Sequence, residues 1–485
     1  MRLWDKEFYS RKLIIKYLWV FVIIGLAMKF TNGVAFAVII PIAIMALFKR
    51  DALLLFYTIL LSTTSLVVNG WLIPKGLVYT VIQRGLMIIL GTITLLQVFG
   101  QRQSRFLRPL LGLVFYLVYI LIVSQTGYSP IISSLKWFLF TITFFAYYSC
   151  ATNITNGRDF EVQHLRSMIL AVAIFFIIGS LLVLPFPSIG MMIPEDAEEM
   201  MNLVSLFKGM TSHSQELGPV ITFLGLFLAA DWIFTLQKRN TLYLILLVIV
   251  PFLIYKTASR TAMGAFIIGS IFLYHLVLIS KGVKRSWKGK VLSSMFAIIS
   301  FGAIFALVLP GVRQGVSRFV LKYSESSDEI RTEEVFRTRE AKWDAALYGW
   351  RQSPYFGNGF QVVEDMKGFK SSDIKAYLTA PIEKSTWIYA ILEEGGVIGM
   401  SIFVIFIITT YISMMQRKAY IGAVLFITML ILNLGEFSIF SMSGMGGFMW
   451  AMLFVGLIFD QARQNGQMLL PVAPGYMHGY GGVGI

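Results

Sequence analysis

Apolar runs of about 19 residues recur along the chain, and a window of that length places about fourteen of them. They centre near residues 20, 41, 59, 88, 115, 140, 175, 226, 248, 270, 300, 402, 427 and 449. A helix rises 1.5 Å per residue, so a run of about 20 apolar residues crosses a hydrocarbon core roughly 30 Å thick. Most connections are short, but residues 185–214 and 311–385 are not. Within the longer one, "TREAKWDAALYGWRQ" reads as an amphipathic helix with Trp343, Ala346, Leu347 and Trp350 on one stripe, stopped by "SPYFGNGF". The predicted fold is all-α: a polytopic membrane protein of about 12–14 transmembrane helices with a large structured extracytoplasmic loop. Its expected parts are N-terminal transmembrane helices over 1–184, further helices over 185–310 and the large loop over 311–385. C-terminal helices over 386–460 and a Gly- and Tyr-rich cytoplasmic tail over 461–485, expected to be disordered, complete it.

Composition agrees with that pattern. Hydrophobic residues make up 57% of the 485, charged residues only 14%, and the mean hydropathy is +0.73, which a soluble chain could not bury. The basic N-terminus runs into an apolar stretch with no small-residue cleavage site, so it reads as a retained first span. Cys150 is the only cysteine, which leaves no disulfide framework and no cysteine-based metal site. No Walker loop, dinucleotide-binding glycine pattern, His/Cys cluster or nucleophile elbow stands out, and no cofactor or metal is expected.

The net charge of +15 takes its meaning from where the charges fall. Lys49 and Arg50, "GQRQSRFLR" (100–108), "NGRDFEVQHLR" (156–166), "QKRN" (237–240), "KGVKRSWKGK" (281–290) and "QRK" (416–418) all lie on even-numbered connections. The odd ones other than 185–214 and 311–385, such as "FTNG" and "QTGYSP", are short and nearly uncharged. This is the positive-inside pattern, and it predicts cytoplasmic termini and an outer side carrying both long connections. The basic excess is then topology and contact with anionic lipid in the bilayer, not nucleic-acid binding.

Candidate chemistry gathers on the predicted outer side. Lys256, Ser259 and Arg260 interrupt hydrocarbon in "IYKTASRTAMGAF" (254–266). In "GMTSHSQELGP" (209–219), Ser212 and Gln215 form a capping-box pattern, with His213 in the first helical turn, a residue that can move protons near neutral pH. Arg339, four residues before Trp343, borders the apolar stripe of the loop helix, where a cation can be aimed at an anion. Glu383 and Lys384 stand at the entrance to the next span, with Ser385 able to cap it; they are either an interfacial pair or a carboxylate placed to accept a proton. Arg84 and Lys136 lie about two turns inside their spans, where cations face a cavity or snorkel outward. The acidic "PEDAEE" (194–199) lacks ligand spacing. Outer cations beside two proton-transfer candidates suit a lipid-linked phosphate or diphosphate.

Four motifs in order resemble the O-antigen ligase and O-antigen (exopolysaccharide) polymerase superfamily of bacterial envelopes. They are the glycine-led segment ending at Leu217-Gly218, the Ser259-Arg260-Thr261 turn, Arg339 and Trp343 running into Ser353 to Phe360, and a polar motif before Gly396 and Gly399. The resemblance covers about residues 205–405. It implies metal-independent, inverting glycosyl transfer from an undecaprenyl-diphosphate-linked oligosaccharide to a glycan or lipid acceptor, at the extracytoplasmic face of the bacterial inner membrane. Other polysaccharide assembly proteins are the implied partners. Arg260 and Arg339 would bind the diphosphate and steady its departing charge, with Arg84 and Lys136 as further donor-binding cations. Many members carry His, often with Asn, where this chain has Glu383-Lys384-Ser385, so Glu383 and His213 both stand as the base. The Glu-Lys form tilts the expectation towards polymerase. The rival from another class is a transporter or flippase of a lipid-linked or anionic glycan, although no paired Gly/Pro-broken segments in two repeated halves support it. A scaffold within an envelope assembly complex is a third reading.

Overall fold

The computed structural model describes residues 3–31, 34–73, 77–98, 104–155, 159–191, 207–235, 241–280, 332–363, 384, 386–435, 437–441 and 444–465. Among them the protein is all-helical; the only strand-like pairings are isolated bridges, Val68 to Thr211 and Met191 to Phe207. The main helices are α1 (Leu3–Phe30), α2 (Ile39–Lys49), α3 (Ala52–Thr64), α4 (Leu77–Val98), α5 (Leu113–Ser124), α6 (Pro130–Thr155) and α7 (Asp159–Val183). The second half adds α8 (Ser214–Phe234), α9 (Thr241–Lys256), α10 (Arg260–Ile279), α11 (Thr332–Gln352), α12 (Trp387–Gln416), α13 (Tyr420–Leu432) and α14 (Gly444–Gln464).

Seven of these helices are long and apolar enough to cross a membrane: α1, α6, α7, α8, α10, α12 and α14. Six shorter apolar stretches, Val34–Lys49, Ala52–Thr64, Tyr79–Thr94, Arg108–Ser124, Thr241–Lys256 and Tyr420–Leu432, occupy the other positions where hydropathy predicts spans. The span predicted near residue 300 lies outside the described residues. The break between α2 and α3 falls where Lys49 and Arg50 mark a predicted connection. Arg50 takes a left-handed conformation (φ 53°), the Asp51 N–H closes on the Ala46 carbonyl at 2.9 Å, and the Asp51 carboxylate caps the next helix through the Leu54 N–H at 2.9 Å. α3, with 13 residues, then rises only about 20 Å.

Burial sorts the long helices into a centre and a rim. In the most apolar window of each, 94% of α14, 89% of α8 and 72% of α6 is buried inside the protein, against 11% of α1 and 28% of α12. Trp19 and Ile23 on α1, and Ile405 and Ile408 on α12, are exposed as lipid-facing side chains should be. Phe140, Phe144, Trp450 and Phe454 interlock α6 with α14 at the centre.

Chain direction and contacts give the bundle two chemically distinct ends. At one, α6, α8, α10, α12 and α14 begin, and α5, α9 and α13 finish. At the other lie Arg105, Arg108, Arg417 and Arg463, where Arg105 donates to Gln464 and Gln464 donates to the Arg417 carbonyl. There too the buried Asp231 accepts from Arg166 at 2.9 Å and from Tyr243 at 2.7 Å. The described parts of the even-numbered connections over 104–112 and 417–419 lie at that second end.

α11 bears out the amphipathic stripe: Ala346 is buried, Trp343, Leu347 and Trp350 are partly buried, and Asp344, Tyr348 and Arg351 point outward. Its helix begins at Thr332, earlier than the sequence pattern suggests. α14 runs on to Gln464, past the expected start of the tail at 461, whose residues 466–485 lie outside the described part.

Candidate functional site

The turn between α9 and α10 is built by its own side chains. The Thr257 hydroxyl donates to the Ile254 carbonyl at 2.7 Å, and Ala258 adopts φ 51°, a conformation that costs a non-glycine residue about 1 kcal/mol or more. Ser259 then caps α10, its hydroxyl accepting the Ala262 N–H at 3.4 Å. Arg260 is therefore the first helical residue, partly buried, where free N–H groups and the helix dipole already favour an anion.

Close packing brings this turn to two other segments. A Cβ on Gly218 would come within 2.8 Å of both Ser259 and Ala262, so the start of α8 lies directly on the turn. A Cβ on Gly435 would come within 2.0 Å of the Thr261 hydroxyl, so the segment after α13 does too. The start of α8 is itself held by the 66–73 segment: the Ser212 N–H donates to the Val67 carbonyl and the Asn69 N–H to the Met210 carbonyl, each at 2.8 Å.

The cap of α8 differs from the expected capping box. His213, not Ser212, is the N-cap, with extended backbone (φ −141°) and Nδ1 accepting the Gln215 N–H at 3.1 Å. Ser212 stands one residue outside the helix and its hydroxyl donates to the Glu216 carboxylate. The reason is backbone geometry: the residue that first leaves the helical conformation caps it, and here that is the histidine.

The "SPYFGNGF" segment folds back over α12. The Asn358 N–H donates to the Glu393 carbonyl at 2.9 Å and the Gly359 N–H to the Glu394 carbonyl at 3.0 Å. α5 and α6 complete the seat: the Phe360 N–H donates to the Ser124 hydroxyl and Ser133 donates to the Phe360 carbonyl, both at 3.0 Å. Glycine is required at 357, where φ is +85° and a Cβ would lie 2.2 Å from the Glu394 carbonyl oxygen. Gly357→Ala is expected to destabilise the protein by about 1–3 kcal/mol, read as a lower melting temperature in detergent with helix content kept at low temperature.

Lys384 is not at an interface. It is only 3% exposed, and its Nζ lies 3.0 Å from Glu393 Oε2 and 3.1 Å from Glu394 Oε1. Burial works against the ammonium charge, but Glu393 and then Glu394 outweigh it and raise its pKa above that of a free lysine. The cap of α12 is Thr386, whose hydroxyl accepts the Ile388 N–H; Ser385, the expected cap, lies outside the described residues.

The remaining candidates are distributed as follows. Lys136 is buried, and its Nζ donates to the Gln361 carbonyl at 3.2 Å, so it holds the folded-back segment. Arg84 is partly buried on α4, in electrostatic reach of Tyr79, whose hydroxyl pairs with Ser65 at 2.6 Å. Arg339 belongs to α11, with its side chain outside the described part, and Glu383 lies outside the described residues altogether. His213, Arg260, Lys384 and Lys136 thus share the end of the bundle opposite the basic one. Glu393 and Glu394 were missed by sequence reasoning although two acids inside an apolar helix are themselves a signal.

Against this geometry, no model of a known protein family matches the chain, and no curated protein sequence matches it.

Proposed function

We propose that the protein is a membrane-embedded glycosyltransferase of the kind its motifs resemble. It would move glycan from an undecaprenyl-diphosphate-linked donor to an acceptor hydroxyl, as a polysaccharide polymerase or ligase. One observation carries this reading. Segments distant in sequence, around His213, Ser259–Thr261, Ser353–Phe360 and Lys384, lie at the same end of the bundle, with Arg260 at a helix N-terminus among them. A helix start carrying a guanidinium suits a diphosphate, which needs bidentate donors and positive potential. In the reaction, the anomeric carbon's bond to the diphosphate oxygen breaks as the acceptor oxygen bonds to that carbon from the opposite face. The hydroxyl proton passes to a base, and undecaprenyl diphosphate leaves with its charge held by arginine. The basic end would face the cytoplasm, which turns this site to the extracytoplasmic side.

The test is purified protein in liposomes given a diphosphate-lipid-linked glycan, without nucleotide and with a chelator present. Longer glycan or glycan on a second lipid, together with released undecaprenyl diphosphate, is the expected outcome. Donor that crosses the bilayer with its glycan unchanged would make the protein a carrier instead.

A further inference from the structure

α12 carries two adjacent carboxylates in its second turn, inside an otherwise apolar run. Glu393, Glu394 and Lys384 are 3%, 0% and 3% exposed. Removing three charges from water is costly, and apolar side chains of similar volume often serve a core as well or better. Where such a cluster is kept, specificity of arrangement is the role to test, and what it touches says which arrangement.

Four elements meet there. Gly349 of α11 lies directly against Glu393; a Cβ at that glycine would come within 2.7 Å of the Glu393 Oε1. The carbonyls of Glu393 and Glu394 hold the Asn358 and Gly359 N–H groups, and the Asn358 side chain ties back to the Gly349 carbonyl at 2.7 Å. Lys136 of α6 reaches Glu394 electrostatically while donating to the Gln361 carbonyl. One turn earlier on α12, Tyr389 packs on Trp343 of α11 with ring centroids 5.6 Å apart. Lys384 sits between the two carboxylates and bridges both.

We propose that Lys384 is a positioning residue: its bridge to Glu393 and Glu394 fixes α11 in one register on α12. Arg339 stands about three turns before Gly349 on α11, so that register sets the position of the backbone that carries Arg339. The consequence for catalysis rests on the function proposed above; the register itself does not.

Spin labels on Tyr348 of α11 and Ile405 of α12, both exposed, read the register as a distance distribution in detergent or nanodiscs. The native charges should give one narrow peak. Lys384→Met alone leaves two carboxylates facing each other and can fail to fold, so the deciding variant is Lys384→Met/Glu393→Gln/Glu394→Gln, which removes the three charges of the cluster together and leaves Lys136 its bond to the Gln361 carbonyl. Its peak is expected to broaden at least twofold while helix content holds, and its kcat to fall at least tenfold. An unchanged narrow peak in that variant overturns the proposal whatever its activity. Should it fail to fold, the exchange Lys384→Glu/Glu394→Lys decides: a narrow peak supports pairing as the determinant, and a broad one overturns it. Absence of glycosyl transfer by the native protein would sink the proposed function and leave the distance result standing.

Discussion

Arg260→Lys is expected to lower glycosyl transfer by about 10²- to 10³-fold, the range seen when one charge-stabilising donor is removed from a transition state. Arg339→Lys should do the same, and both variants should reach the membrane in near-normal amounts. Lysine keeps the charge but loses the planar fork that grips two phosphate oxygens at once. The local fold gives no reason for collapse at position 260. The cap of α10 is made by Ser259, the residue before it, and lysine and arginine have similar helix propensity. Initial rates in liposomes, set beside the yield of monodisperse protein, separate the two effects. Full activity in both lysine variants would remove the diphosphate role and leave the arginines as topological charges.

The helical architecture was legible because apolar runs broken by short polar connections have few other physical explanations. The amphipathic stripe of α11 was legible for a similar reason: Trp343, Ala346, Leu347 and Trp350 recur at helical spacing beside a proline and glycine stop. Hydropathy placed about fourteen spans, whereas seven helices among the described residues are long and apolar enough to cross, since a 19-residue window scores composition and not the length of the helix, 13 residues in α3. The cap of α8 was missed by one residue because capping follows backbone conformation, which Ser212 and His213 share by composition but not by geometry. The ion cluster was hidden more deeply. Lys384 meets Glu393 and Glu394 nine and ten residues away, from outside the helix, a separation that no within-helix spacing rule covers. Arg260 and Glu383 stood out as charges at the ends of apolar runs, and the motif order added the roles expected of them.

Glu383→Gln is expected to abolish turnover, a loss of about 10²–10⁴, while binding of the diphosphate-lipid donor persists. The attacking sugar hydroxyl has to lose its proton, and glutamine keeps the shape of the carboxylate without being able to take it. His213 is the other candidate, and its geometry weakens its claim. Its Nδ1 accepts the Gln215 N–H at 3.1 Å, so the neutral ring carries its proton on Nε2 and presents a donor there. A second proton would have to go onto Nδ1, which means giving up the cap of α8. His213→Gln is therefore expected to lower turnover less than tenfold, through a looser helix start. Glu383→His should keep partial activity, with a rate that falls at acidic pH as the imidazole takes up its proton from solution and can no longer serve as a base. Turnover and donor binding measured side by side for Glu383→Gln and His213→Gln decide the assignment. Near-normal turnover in the first with loss in the second would make His213 the base. Loss of donor binding in both would mean that the two residues shape the diphosphate pocket and that the proton goes elsewhere.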